Sequence, residues 1–278
     1  MAVLLALATS VVYGTADFLG GLAARRANPL LVVGVSQLAG LALVLALAAP
    51  LGGSAGPADL AWGAAGGAAG ALALTLFYRT LAAGSMSAVA PVTAVCAAAV
   101  PVVSGLAFGD AVSVPALAGV AIALPAVGLV ASAGGGVRAV SLGWPSLIGA
   151  LVAGTGFGLV FLFLHQTAPG SGLWPLVAAR AASALVVGSV LATRRLPVRI
   201  PRTTMPLVIG AGIVDMAANI LFLLAVRQGQ LSIVGVLSSL YPVSTVVLAT
   251  LLLHERMSRV QLAGVGGCAL AVALIAWP

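Results

Sequence analysis

The chain has 278 residues, of which 62% are hydrophobic and only 6% charged, and its formal net charge is +7. Soluble domains carry about 25% charged residues, so this composition excludes a soluble globular protein. The basic residues are all arginine, and in a membrane protein of this composition the net positive charge does not suggest a nucleic-acid partner.

Long apolar runs recur along the chain with short polar breaks, which is typical of transmembrane helices. Strands of a membrane barrel would alternate apolar and polar residues, and no segment does so. The sequence therefore predicts an all-α integral membrane protein. Its ten predicted transmembrane helices are 2–22, 30–50, 58–79, 84–107, 113–133, 143–165, 172–192, 205–226, 231–253 and 259–277.

The first predicted helix is interpreted as retained. No charged residue precedes Asp17, so the basic segment that opens a signal peptide is missing, and Arg25 and Arg26 follow the apolar run instead. Cys96 and Cys268 lie within predicted helices and are interpreted as small packing residues.

The chain repeats itself. Residues 84–131 align with residues 229–276 without a gap, at a constant offset of 145 residues. Asp110 then aligns with Glu255. Internal symmetry of this kind is typical of transporter folds.

Slightly different offsets align Gly14 with Gly154 and Gln37 with Arg180. The sequence therefore predicts two five-helix repeats, residues 1–135 and 136–278. An odd number of helices per repeat places the two in opposite orientations, so the repeat is inverted.

Arginine placement predicts the orientation, since cytoplasmic loops carry an excess of basic residues. Only Arg227 lies on the side of the even-numbered loops, and Arg180 lies within the seventh predicted helix. We therefore expect cytoplasmic odd-numbered loops and both termini outside. The arginines on that cytoplasmic side are Arg25, Arg26, Arg79, Arg138, Arg194, Arg195, Arg199, Arg202, Arg256 and Arg259.

Three motifs carry a family resemblance. Residues 239–270, SLYPVSTVVLATLLLHERMSRVQLAGVGGCAL, have an apolar helix with an internal proline, a Glu-Arg pair at its exit and a glycine-containing last helix. Residues 90–120 are a weaker copy with Asp110 and no following arginine, and VVYGTADFLGG (11–21) resembles an opening helix. On these motifs the whole chain resembles EamA-type members of the drug/metabolite transporter superfamily.

The resemblance implies a ten-helix fold and export of amino acids, amines or related metabolites. It also implies cytoplasmic termini, against the arginine placement.

The candidate substrate-binding residues are polar side chains inside predicted helices. An ionisable side chain at the bilayer centre costs about 2.5–3.5 kcal/mol on insertion scales, so such residues are functional candidates. Asp215 lies near the middle of the eighth predicted helix, and Asn219 follows one turn later on the same face. Arg180 lies in the seventh predicted helix.

Three further candidates complete the set. Asp17 lies near the end of the first predicted helix, and Gln37 lies in the second at the repeat position of Arg180. Tyr241 lies deep in the ninth predicted helix, beside Pro242.

Two interpretations of these residues stay open. In the first they line a cavity between the halves, where an amine binds Asp215 or Asp17 and a carboxylate or phosphate binds Arg180. In the second, Arg180 and Asp215 form a closed pair that joins two helices, Asp17 reaches the membrane interface, and Tyr241 only packs. Asp215 is also a candidate proton site.

Proline and glycine predict local features of the helices. Pro91, Pro101, Pro125 and Pro242 are expected to interrupt or kink helices. The GxxxG pairs predict close packing inside the bundle, with a dimer face as the alternative, and they are Gly63/Gly67, Gly66/Gly70 and Gly154/Gly158. The acidic position shared by Asp110 and Glu255 is predicted to cap or anchor a helix junction.

Catalytic and metal-binding patterns are missing from the sequence. The two histidines do not have metal-ligand spacing, and a phosphate-binding P-loop needs a lysine that the chain lacks. We therefore expect no enzyme and no cofactor.

The predicted function is a secondary transporter, an exporter of small polar metabolites such as amino acids or amines. It would act by alternating access in the bacterial inner membrane, as a monomer or homodimer. The alternatives are a passive channel or scaffold and an intramembrane lipid-modifying enzyme, for which Asp17 with loop arginines is the candidate site.

Overall fold

The computed structural model describes residues 1–83, 86–132, 144–194, 199–254 and 256–277, with side chains except those of 78, 79, 81–83, 86–91 and 194. In these residues every regular element is helical, and no strand occurs. Eight spans are long and apolar enough to cross a membrane, with 231–253 counted as one, and two more apolar helices are shorter. The predicted all-helical membrane protein is therefore confirmed.

The helices follow the predicted segments to within a few residues. A single 3₁₀ turn, Pro169–Ser171, was not predicted. The helices are α1 Ala2–Ala24, α2 Pro29–Leu51, α3 Pro57–Ala83, α4 Met86–Ala107, α5 Val114–Ala131, α6 Trp144–His165, α7 Trp174–Arg194, α8 Met205–Val226, α9 Leu231–Ser238, α10 Tyr241–Leu253 and α11 Arg259–Ile275.

The ninth predicted helix is broken into α9 and α10. The Leu240 N–H donates to the Leu237 carbonyl at 3.3 Å in a tightened turn, and α10 restarts at Tyr241 with Pro242 in its first turn. Proline has no N–H to continue the helical ladder and tolerates the first turn of a new helix. The predicted kink is thus a full break, whereas α4 and α5 continue through Pro101 and Pro125.

Four connections and the start of α1 lie at one end of the bundle. They follow α2, α4, α6 and α8, so we call this end the even-loop face, and it comprises residues 52–56, 108–113, 166–173 and 227–230. The Ser54 N–H donates to the Gly170 carbonyl at 3.0 Å, and the Gln230 amide donates to the Ala111 carbonyl at 2.7 Å. These bonds join the connections to one another.

The opposite end is the arginine-rich face. Its described connections are 25–28, 199–204 and 254–258, without residue 255. Arg25, Arg26, Arg199, Arg202 and Arg256 are exposed there.

Helices from the first 135 residues pack between helices from the remainder of the chain. Helix α1 packs against α8 and the α9–α10 pair, and α6 packs in the same way against α3 and α4. Helix α2 meets α7, and α5 meets α11. Many contacts therefore join helices that are distant in the sequence.

Equivalent caps begin α5 and α11. The Ser113 hydroxyl accepts a hydrogen bond from the Ala116 N–H at 3.4 Å, and the Ser258 hydroxyl accepts one from the Gln261 N–H at 3.2 Å. Both members of the second pair lie 145 residues after those of the first.

Asp110 anchors the start of α9. Its carboxylate accepts hydrogen bonds from the Ser232 N–H at 2.8 Å and from the Ser232 hydroxyl at 2.7 Å. An acceptor at a helix N-terminus satisfies a backbone donor that has no partner within the helix. The predicted anchoring role holds for Asp110, while Glu255 lies outside the described residues.

The GxxxG glycines pack within the chain. Gly63 and Gly67 face the backbone of α7, and Gly66 and Gly70 face Val160 on α6. The pair Gly154 and Gly158 faces α4, where a Cβ added at Gly158 would lie 2.9 Å from the Ala97 carbonyl oxygen. These glycines allow α3, α6, α7 and α4 to approach closely, as expected from the spacing.

Candidate functional site

A polar network joins three helices away from both faces of the bundle. Arg180 of α7 donates one hydrogen bond from Nη1 to Gln37 Oε1 of α2 and another from Nη2 to Asp215 Oδ2 of α8. Asn219 Nδ2 donates to the Asp215 carbonyl at 2.8 Å and to Asp215 Oδ2 at 3.4 Å. The structure thus brings together four of the predicted site residues.

Glycine on α2 makes room for this network. A Cβ added at Gly40 would lie 3.4 Å from Arg180 Nε and 3.1 Å from the Gly212 carbonyl oxygen of α8. The Arg180 side chain is only 9% exposed, against 33% for Asp215. The guanidinium is therefore enclosed by its partners, whereas part of the carboxylate stays accessible.

Aromatic rings lie beside the network. Tyr241 stands at the first position of α10, and its ring centroid is 6.2 Å from that of Tyr13 on α1, in an edge-to-face arrangement. Tyr13 also lies 6.2 Å from Phe161 of α6, which stacks on Phe222 of α8 at 4.3 Å. Tyr241 is thus placed at the helix break, within an aromatic cluster.

Asp17 lies near this cluster without joining the hydrogen-bonded network. It is exposed, and it is close enough to Asp215 and Tyr241 to interact electrostatically with both. Within the described residues Asp17 forms no hydrogen bond or ion pair. It lies two turns before the end of α1.

The start of α10 is held tightly against α1. The Thr245 hydroxyl donates to the Gly14 and Tyr241 carbonyl oxygens, each at 3.1 Å. A Cβ added at Gly14 would lie 2.5 Å from Ser244 Cβ and 2.6 Å from the Tyr241 carbonyl oxygen. A glycine at this position therefore lets the helix break approach Tyr13 and Asp17.

A second hydrogen-bonded group closes the even-loop face. Asp59 accepts from the Gly56 N–H at 2.9 Å and from the Ala168 N–H at 2.7 Å. Arg227 Nη2 donates to the Ser171 hydroxyl at 2.9 Å and to the Gly172 carbonyl at 3.0 Å. Burial lowers the pKa of the Arg227 guanidinium, and the Asp59 charge raises it.

The sequence did not predict the contacts of Asp59 and Arg227, and it did not identify Tyr13 as a site residue. The signal for Tyr13 was available, because it stands one turn before Asp17 on the same side of α1. Asp59 stands in the first turn of α3, where an acidic side chain meets unpaired N–H groups.

The described residues contain no group of three or more histidine, cysteine, aspartate or glutamate side chains that could hold a metal ion. Two depressions occur elsewhere, one between α3 and α6 and one along α8. Both are lined almost wholly by apolar side chains, so neither offers the chemistry of the central network.

Comparison with known proteins adds a family and a fold. Residues 144–277 match the model of the EamA-like transporter family. No curated protein matches the chain. A solved structure, titled only as a crystal structure of a protein, matches with a TM-score of 0.78 at 18% identity, covering 100% of this chain and 99% of the other. At 18% identity this similarity shows only that the two chains share a fold over their whole length.

Proposed function

Residues 144–277 belong to the EamA-like transporter family, part of the drug/metabolite transporter superfamily, and from this premise we propose an exporter of small polar metabolites such as amino acids or amines. The family match supports a membrane transporter of the drug/metabolite type. The substrate class, the direction and the mechanism are the proposal.

The observation that carries the proposal is the network of Arg180, Asp215, Gln37 and Asn219. Ionisable groups within a membrane bundle are costly, and they face a bundle interior or a water-filled path. The 33% exposure of the Asp215 side chain supports a group that a ligand reaches. We infer that this network forms part of the substrate-binding site.

Alternating access is the proposed mechanism. Helix α1 packs against helices of the second proposed repeat, and α6 packs against helices of the first. Equivalent serines cap α5 and α11. Both features support two inverted repeats, residues 1–135 and 136–278. Substrate sites of such transporters lie at the repeat interface beside discontinuous helices. Tyr241, at the α9–α10 break, contacts Tyr13, which interacts electrostatically with Asp215 and Arg180 of the network.

Hydrogen bonds join the connections of the even-loop face to one another. Asp59 and Arg227 join the segments 52–56, 166–173 and 227–230 by hydrogen bonds. We propose that this face is closed in the present conformation and that transport requires these bonds to break.

A ligand screen followed by counterflow tests the proposed function. A bound metabolite stabilises the native state by mass action, by about 2.7 kcal/mol at one hundred times its Kd, so thermal shifts of purified protein identify candidates. The hit is then loaded into proteoliposomes, and the proposal expects uptake of labelled ligand to be accelerated by unlabelled ligand inside.

Uptake without such acceleration would establish a channel instead. Lipid turnover by the purified protein, without uptake, would establish the intramembrane enzyme.

The proposed location is the bacterial inner membrane, with the arginine-rich face in the cytoplasm. In a background without Cys96 and Cys268, we expect Arg199→Cys to react with a membrane-impermeant maleimide only from inside. Gln228→Cys should react only from outside, since both positions are exposed on opposite faces. Labelling of Arg199→Cys from outside would reverse the orientation.

A further inference from the structure

The guanidinium of Arg180 already has two hydrogen-bonding partners. Nη1 donates to Gln37 and Nη2 to Asp215, and the side chain is 9% exposed. These bonds use two of the five N–H donors of the guanidinium, and the side chain is nearly enclosed. An anion at Arg180 would therefore have to bind beside the Asp215 carboxylate, whose negative charge repels it.

Asp17 lies on the inward side of α1. Residues of an α-helix follow one another at about 100°, so Tyr13 and Asp17 lie about 40° apart on one side of α1, roughly 120–180° from Leu4 and Val11. Leu4 and Val11 are exposed and mark the outer side of α1, while Ser10, on the side of Tyr13, is buried. The exposure of Asp17 therefore opens into space among the helices and not into lipid.

The surroundings of Asp17 are suited to a cation. Tyr13 and Tyr241, whose rings meet edge to face, both interact electrostatically with Asp17. The faces of aromatic rings attract ammonium groups. Asp215 also interacts electrostatically with Asp17, but its own charge is balanced by Arg180.

When Asp17 is ionised, the charges of the site leave one negative unit unbalanced. Arg180 and Asp215 cancel, and within the described residues Asp17 has no cationic partner. A substrate that carries one positive charge would neutralise the site on binding.

We propose that Asp17, Tyr13 and Tyr241 form a cation subsite, so that the substrate carries a protonated or quaternary amine. This inference rests on the proposed transport function and narrows its substrate class from polar metabolites to cations. It also assigns Arg180 the role of holding Asp215 in place, not that of an anion receptor.

Matched probe ions test the charge preference. Purified full-length protein is heated at one pH and one ionic strength with n-butylammonium, choline or butyrate. We expect the Tm to rise with increasing concentration of either cation, and butyrate to leave it unchanged. A shift with butyrate as large as that with n-butylammonium would overturn the proposal without any variant.

Asp17→Asn tests the residue. It keeps the size of the side chain and removes its charge, so we expect the apparent affinity for both cations to fall at least tenfold, equivalent to about 1.4 kcal/mol. Asp110→Asn is the matched control, because it removes one negative charge at the distant start of α9 and should keep the cation affinity. Undiminished affinity in Asp17→Asn would contradict the subsite.

A second variant covers the case in which Asp17→Asn does not fold. Tyr241→Leu removes a ring without touching a charge, and it should weaken choline binding severalfold. Equal choline affinity in Tyr241→Leu and in the unmodified protein counts against the subsite. If neither cation binds the unmodified protein, Asp17 has another role, such as carrying a proton.

Counterflow separates failure of this inference from failure of the proposed function. Cation binding without any flux of choline or n-butylammonium would support the subsite and contradict the proposed transport function. Counterflow of butyrate with no cation binding would support the transport function and contradict the subsite.

Discussion

Arg180 and Asp215 are a pair whose members depend on each other. Two charges taken out of water are costly, and their mutual attraction offsets this cost only while both are present. Gln37 and Asn219 satisfy further hydrogen-bonding positions of the two groups. The pair therefore both joins α7 to α8 and presents a carboxylate to the space beside Asp17.

Single and double substitutions separate these two roles. Arg180→Met leaves the Asp215 carboxylate without its cation, and we expect it to lower the free energy of unfolding by about 3–5 kcal/mol. Arg180→Met combined with Asp215→Met should regain most of that stability while transport stays lost. Thermal denaturation in detergent, monitored by circular dichroism, measures the first effect.

Recovery of transport in the double variant would mean that the pair serves packing alone. Failure of the double variant to regain stability would contradict the proposed pairing energy.

At the scale of helices, the break between α9 and α10 is held in position by α1. The contact uses backbone atoms, since Gly14 faces the Tyr241 carbonyl and the Thr245 hydroxyl bonds to the Gly14 carbonyl. Backbone atoms cannot move aside as the end of a flexible side chain does. A single methyl group at Gly14 therefore forces the two helices apart.

Gly14→Ala is expected to lower stability by about 1–3 kcal/mol, the usual cost of overpacking. Gly21→Ala on the same helix is the control, because a Cβ there would meet nothing within 4 Å. Thermal denaturation of both variants in the same detergent checks this, and equal stability of the two would refute the close contact.

The connections of the even-loop face form a second element-scale unit. Arg227 donates hydrogen bonds to the 3₁₀ turn and to Gly172, while Asp59 accepts one from Ala168. These bonds tie α3 and α8 to the segment between α6 and α7.

Arg227→Gln should lower stability by about 1.5–3 kcal/mol, the usual contribution of a hydrogen bond to a charged group. It should also raise the rate at which a cysteine placed near Tyr241 reacts with a membrane-impermeant maleimide added on the side of the even-loop face. Arg26→Gln, an exposed arginine on the opposite face, should change neither measurement. An unchanged labelling rate in Arg227→Gln would show that the bonds do not close this face.

At the scale of the whole molecule, helix bounds were predictable because bilayer thickness sets the length of each apolar run. An interruption at Pro242 was predicted because proline cannot donate to the helical ladder, but the same rule failed at Pro101 and Pro125, through which α4 and α5 continue. The pairing of Arg180 with Asp215 was one of two interpretations that the sequence left open. The packing of α2 against both α7 and α8 is what brings these residues together.

Other features depend on contacts between residues distant in sequence. Nothing local shows that Gln37 reaches Arg180 or that Arg227 reaches the 3₁₀ turn. The tilt and spacing of the helices decide these contacts, and glycines such as Gly40 and Gly212 decide the spacing.

The central claim is that a ligand is carried across the membrane at a site that contains Asp215. Asp215→Asn keeps the size of the side chain and an oxygen that can accept from Arg180, but it removes the negative charge. With the ligand found by the thermal screen, counterflow per folded protein should fall at least tenfold, and the elution profile of the protein should not change. Counterflow with unchanged rate and affinity in Asp215→Asn would contradict the account.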